Sequence, residues 1–196
     1  MDVGVLYSGG KDSTLAALLS EQFGDVTLLC CTFGLTDDYE HAKRAGQAVG
    51  FPVQRVDLDP AVAREATETI VEDGFPRNGI QAVHEHALER TAELEFDGIA
   101  DGTRRDDRVP TVPRSLAQSI EDRHGVSHLA PLAGIGREAI DAMVESTLEI
   151  ETGLSPEVPK GDYETELRAL IAEEYGPERV ADLFPEHTQS RVTGRQ

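Results

Sequence analysis

Short apolar runs alternate along this chain with stretches in which apolar residues recur every three or four positions. The first run is Val3-Gly4-Val5-Leu6-Tyr7; after it, Leu15, Leu18, Leu19 and Phe23 share one face of a helix. Residues 26–33 (VTLLCCTF) are an uninterrupted apolar strand, as strands buried on both faces are. A helix over 38–49 turns Tyr39, Ala42, Ala45 and Val49 inward, and Gly50 closes it. Residues 52–58 supply a third strand. Helices follow near 60–71 and 79–95, the second with Ile80, Val83, Ala87, Thr91 and Leu94 at helical spacing. Residues 97–101 and 127–132 read as the fourth and fifth strands, with a helix over 114–123 between them. A helix over 137–149 carries Ile140, Met143, Val144 and Leu148. Near Thr152 the pattern changes to Gly153, Pro156, Pro159 and Gly161, which predicts a loop. Leu167, Leu170, Ile171 and Tyr175 mark a last amphipathic helix. Residues 185–195 read as a polar tail, either closing on substrate or disordered.

Strands alternating with helices predict an α/β fold with right-handed crossovers. The expectation is a three-layer α/β/α sandwich around a five-stranded parallel, Rossmann-like sheet. Ligands of such sheets bind beyond the strand C-termini, where the strand order reverses. The first βα turn belongs there, and it carries Ser8-Gly9-Gly10-Lys11-Asp12-Ser13. Adjacent glycines let the backbone approach a ligand closely. The unpaired N–H groups and dipole of a helix N-terminus favour an anion. Lys11 adds a positive charge, and Ser8 and Ser13 add hydroxyls. The turn therefore reads as a phosphate cradle. It is not a Walker A loop, because Asp12 follows Lys11 and Val5 stands where that pattern needs glycine. The dinucleotide fingerprint fails too, for want of a third glycine.

The stretch Ser8-Gly9-Gly10-Lys11-Asp12-Ser13 resembles the Ser-Gly-Gly-x-Asp-Ser loop of the PP-loop ATP pyrophosphatases. That family includes GMP synthetase, NAD synthetase, asparagine synthetase, 7-cyano-7-deazaguanine synthase and tRNA thiolation enzymes. Its members cleave ATP between the α and β phosphates, giving an adenylated substrate and pyrophosphate. The resemblance spans about residues 1–135 and implies an ATP pyrophosphatase domain over 1–150, with a C-terminal helical extension and polar tail over 151–196. It implies ATP bound by Ser8, Gly9, Gly10, Lys11, Asp12 and Ser13, and by the Gly102-Thr103 turn after the fourth strand. Phe33, at the end of the second strand, is either an edge for adenine or a core residue. Magnesium is expected as cofactor, on Asp12 and on Asp106 and Asp107. Lys11, Asp12 and Arg104 are the catalytic candidates, because transfer at phosphorus needs positioning and charge neutralisation above all. Lys160 is a further candidate for closing over the phosphates.

The turn around Arg104 supports this independently. Residues 101–108 hold three arginines and three aspartates at the end of a strand. Arginine binds phosphate and carboxylate bidentately, and carboxylates suit magnesium. The competing reading is a solvated charged loop. The acceptor is the open question: a small molecule or a tRNA. Amidating relatives would need an ammonia-donating partner, and sulfur-inserting ones a sulfur donor. The proline of their cysteine motif is present at Pro76, but the cysteines are not. A non-catalytic module that senses ATP or AMP is the alternative.

Composition narrows the setting. At 196 residues and 39% hydrophobic content, one domain with a real core is expected. No run approaches the ~18 apolar residues of a membrane span, and a strand begins at once, so neither a membrane span nor a signal peptide is expected. Cys30 and Cys31 are adjacent, which disfavours a mutual disulfide and fits a reducing, cytoplasmic compartment. Two cysteines exclude a zinc ribbon or iron–sulfur spacing. His84-Glu85-His86 lacks the second histidine of a zinc helix and reads as a helix face. The formal charge is −19, with lysine only at positions 11, 43 and 160. Dispersed surface acid of this kind looks like salt adaptation and opposes a generic basic nucleic-acid field. A homodimer is expected.

Overall fold

The computed structural model describes residues 1–155 and 157–196. Pro156, expected in the loop after Thr152, lies outside them. The first half runs β1 (Asp2–Leu6), α1 (Lys11–Ser20), β2 (Asp25–Thr32), α2 (Tyr39–Ala48), β3 (Val53–Asp57), α3 (Pro60–Asp73) and α4 (Arg77–Ala92). The second runs β4 (Gly98–Ala100), α5 (Arg114–His124), β5 (Ser127–Leu129), α6 (Arg137–Thr147), β6 (Leu148–Leu154), α7 (Tyr163–Tyr175), α8 (Pro177–Leu183) and β7 (Thr188–Arg195). Strands β1 to β5 form one parallel sheet in the order β3-β2-β1-β4-β5. Helices cover both faces, so the fold is the expected three-layer sandwich. The chain leaves β1 to build one side and returns beside it as β4. The order reverses between these two strands, and the glycine turn sits at that point.

The uninterrupted apolar run of β2 follows from this burial. Leu28 and Cys30 face one layer with Val3, Val5, Leu15, Ala45 and Ile140. Leu29 and Cys31 face the other with Leu6, Ile70, Ile80, Val83 and Leu167. Strand side chains alternate, so adjacent residues must serve opposite cores. Gly46 lets α2 lie close against the sheet: a Cβ there would stand 2.5 Å from Val53 Cγ2. Local signals set the helix ends. Asp59 accepts from the Ala61 N–H at 2.9 Å and Pro60 follows it, which starts α3. Gly74, at φ 76°, ends it.

The C-terminal third departs from the pattern. The expected helix 137–149 stops at Thr147, and Leu148 begins a strand. The expected polar tail is β7, paired antiparallel with β6 across the 33 residues 155–187. Leu148 and Val192 are buried members of the α1/α2/α6 layer. Helical spacing of Leu148 with Val144 masked the strand, and β7 has only Val192 and Gly194 buried along its length. Its partner, not its own pattern, makes it a strand. Phe23, assigned to the inward face of the first helix, is 50% exposed because α1 ends at Ser20. Helix α8 had no counterpart in the pattern.

Leu29 is fully buried, whereas Ile150 on β6 is 39% exposed. Leu29→Ala is expected to cost about 2–5 kcal/mol by urea unfolding, and Ile150→Ala within about 0.5 kcal/mol of zero.

Candidate functional site

The glycine turn is shaped by its own residues and held by distant ones. Gly9 has φ +83°, a left-handed value that favours glycine. Gly10 is the N-cap of α1, extended and without a side-chain cap, so the first N–H groups of the helix remain for a ligand. The Ser8 N–H donates to Ser13 Oγ at 3.4 Å, and Ser13 Oγ donates to the Gly10 carbonyl at 3.2 Å. The Gly161 N–H donates to the Ser8 carbonyl at 3.0 Å, and the Val192 N–H to the Gly9 carbonyl at 2.9 Å. The Lys160 stem lies beside the turn, with Cδ 3.7 Å from where a Gly10 Cβ would stand.

Beside the turn is a cavity of about 290 Å3 at the C-terminal ends of the central strands. Ser8, Asp12, Ser13, Gly102, Thr103 and Asp107 all line it. The segment 160–164, entering α7, closes a further side. The rest of the wall is largely apolar: Leu6, Leu29 and Cys31 from the sheet, Pro76 and Ile80 at α4, Val109 and Pro110 after the β4 turn. The β4 turn is pressed against the glycine turn, since a Cβ on Gly102 would meet Ser13 N at 2.8 Å.

The structure brings most of the anticipated residues together and separates the others. Arg104 joins the two turns: its Nη1 lies 3.5 Å from Asp12 Oδ2, and its Nε donates to Asp107 Oδ1 at 3.0 Å. Lys11 is not in the cavity wall; its ammonium bonds Asp12 Oδ1 at 2.7 Å and lies 3.6 Å from Asp141 on α6. The Asp106-Asp107 pair is split. Asp107 lines the cavity, while the exposed Asp106 pairs with Arg105, which holds its carboxyl below the ordinary range. Asp12 and Asp107 remain as the carboxylates beside the cradle. Among the described residues no three His, Cys, Asp or Glu side chains form a metal cluster.

Phe33 also lies outside the cavity wall. It is buried in the α3/α4/α7 layer. Its N–H donates to Glu166 Oε2 at 2.9 Å, and Thr32 Oγ1 and the Leu35 N–H donate to Oε1 at 2.8 and 2.9 Å. Glu166, 2% exposed, thus caps the end of β2. Nothing in the local pattern of α7 marked this glutamate; its partners are about 130 residues away.

The remaining polar groups near the cavity come in pairs. Lys160 Nζ and Asp162 Oδ2 are 2.9 Å apart. Burial opposes the charge on Lys160, but the Asp162 carboxylate outweighs it and raises the ammonium's pKa. Asp101 and His128 pair at 2.8 Å with side chains 1% and 6% exposed. Burial penalises the Asp101 carboxylate, yet His128, His84 and the Thr103 N–H together hold its pKa low. His84, expected on an ordinary helix face, is buried beside the cavity with Nδ1 2.7 Å from the Tyr163 hydroxyl. Its i, i+4 relation to Ile80 was the available signal. Both cysteines are buried thiols: burial pushes Cys30 up strongly and Cys31 to about 12. A nucleophilic role for either is not supported by this environment.

Fold and site together define a Rossmann-like α/β protein with a glycine-rich cradle at its switch point. The chain belongs to the family of unknown function DUF7411, whose model matches residues 1–194. The uncharacterized protein MJ0690 of Methanocaldococcus jannaschii is 37% identical over 196 residues, covering 99% of this chain and 96% of that protein. A crystal structure of a predicted subunit of tRNA methyltransferase from the same species superposes with TM-score 0.91 at 35% identity, covering 100% of this chain and 98% of that one. A U34-tRNA thiolase from Methanococcus maripaludis gives TM-score 0.44 at 18% identity over 74% of this chain and 56% of its own. No helix among the described residues is long and apolar enough to cross a membrane.

Two measurements check these environments. Cys30 and Cys31 are expected to stay unreactive toward a disulfide reagent at pH 8 and to react fully in denaturant. Asp101→Asn is expected to cost about 2 kcal/mol at pH 7, the scale of a buried hydrogen bond to a charged group. A depressed carboxyl pKa stabilises above the unfolded value of ~3.9 and loses that contribution as pH falls through the folded value. The gap between wild type and variant, followed by thermal unfolding, should therefore close below pH ~4.

Proposed function

We propose that this protein binds ATP in the glycine cradle and uses it to adenylate an acceptor, releasing pyrophosphate, in a tRNA-modification reaction. The observation that carries this reading is the convergence of the glycine turn, the Gly102-Thr103 turn and Lys160 on one cavity. The tRNA component rests on the 35% identical relative, whose description is a predicted tRNA methyltransferase subunit.

In this reading the N–H groups opening α1 and the Ser8 and Ser13 hydroxyls take the phosphates. Asp12 and Asp107 would hold magnesium, which binds one or two carboxylates together with substrate phosphates and neutralises their charge. An acceptor oxygen forms a bond to the α-phosphorus, the bond to the bridging oxygen breaks, and the electron pair leaves with pyrophosphate; the acceptor proton passes to solvent. Lys160 and Arg104 are placed to stabilise the leaving charge. A strongly acidic chain meets tRNA through local positive charge, for which Arg104, Arg105, Arg108 and Arg114 are the candidates.

A second reading, a nucleotide-sensing subunit, draws on one observation. Lys11, Arg104 and Lys160 are each already paired with aspartate. Incubation with α-labelled ATP, magnesium and tRNA separates the two: AMP is expected from the enzyme, unchanged bound ATP from the sensor, and ADP would overturn the pyrophosphatase reading. Gly10→Val is expected to abolish ATP binding in a folded protein, because its side chain would press on Ser8, Lys160 and the Ser190 carbonyl. Lys160→Ala is expected to lower the rate of AMP formation about 10- to 100-fold, with a smaller change in ATP affinity.

A further inference from the structure

At the apolar wall of the cavity lies a histidine with one buried polar atom that nothing in the fold explains. His84 is 4% exposed and lines the cavity. Its Nε2 is the only buried side-chain N or O without a hydrogen-bond partner among the described residues. Such a group is costly unless something pairs with it. Burial lowers the His84 pKa more than the nearby Asp101 carboxylate raises it, so the ring is neutral. Burial also keeps the Tyr163 phenol protonated. The Tyr163 hydroxyl has no other hydrogen-bond partner among the described residues, so we assign its proton to His84 Nδ1, 2.7 Å away. That bond leaves the proton of a neutral imidazole on Nε2, as a fixed donor.

The surroundings say what this donor fits. Leu6, Leu29, Cys31 and Ile80 belong to one core layer, and Val109 and Tyr163 pack against it. All six also line the cavity. Apolar walls with one neutral donor suit a flat, uncharged heterocycle with an acceptor atom in its plane. A volume near 290 Å3 suits a small ligand and not a chain segment. We infer that this part of the cavity is a nucleobase subsite, in which His84 Nε2–H, oriented by Tyr163, donates to a ring nitrogen or carbonyl oxygen of the base. Nε2 is shielded from solvent, so seating the base displaces a side chain of the wall and leaves the His84–Tyr163 bond in place. The inference rests on the nucleotide reading above. The base has two sources: the adenine of ATP, or the base of the acceptor.

Long-range proton–nitrogen spectra of the 15N-labelled full chain test this. His84 is expected as the Nε2–H tautomer, and Tyr163→Phe should remove that preference. A charged ring or the Nδ1–H tautomer in the wild type would overturn the inference. Adenosine, guanosine, cytidine and uridine are then titrated in. A His84 shift with adenosine alone assigns the subsite to ATP. A shift with another nucleoside in protein saturated with ATP assigns it to the acceptor. If no nucleoside moves His84, the base subsite is wrong whether or not ATP binds. Tyr163→Phe and His84→Phe are expected to weaken the active nucleoside about tenfold; unchanged affinity in both would also refute it. Gly10→Val keeps the two readings apart, since it should abolish ATP binding yet leave the nucleoside shift intact. Retained ATP binding there would remove the cradle and spare the base subsite.

Discussion

Two backbone hydrogen bonds that enter the glycine turn from the far end of the chain are the constraint on which the site depends. Gly161 donates to the Ser8 carbonyl and Val192 to the Gly9 carbonyl. Carbonyls of a turn packed this closely must be paired, because an unpaired buried acceptor is costly. With the carbonyls so occupied, the first N–H groups of α1 have no side-chain cap. The same two donors carry Lys160 and β7 to the turn, so the polarity of the cradle and its cover are one arrangement.

Charge is managed just as locally. The chain carries a formal charge of −19, yet Lys11, Arg104 and Lys160 near the glycine turn each pair with at least one aspartate. Arg104 bridges Asp12 and Asp107 and thereby ties the first and fourth strand turns together. Lys160 keeps its charge in a largely buried place only because Asp162 sits beside it. These pairs are preformed and leave little side-chain ordering to a binding event.

The two faces of the cavity differ in origin. Its polar side is built from strand-end turns, where chain connectivity alone gathers the residues. Its apolar side is the edge of the core layer under α3, α4 and α7, and His84 interrupts that edge at a position where the helix face would otherwise be hydrocarbon. Its Nδ1 is paired with Tyr163 and its Nε2 is left without a partner.

The sequence by itself determined the sheet, the layers and the glycine turn, because these follow from periodicities and turn chemistry shorter than twenty residues. Continuous apolar runs mark parallel strands, Gly9 and Gly10 mark the close approach, and Gly50 marks a helix end. It also placed Asp12, Gly102, Thr103 and Asp107 near one another, since the first and fourth strand ends meet at the switch point. Only the tertiary structure decided that residues 188–195 are a strand, that Glu166 caps β2 against Phe33, that Lys11 turns toward Asp141, and that His84 meets Tyr163. Each of these is a contact between residues far apart in the chain and carries no local periodic signal. Its energy comes from burial and pairing that exist only once the layers have closed.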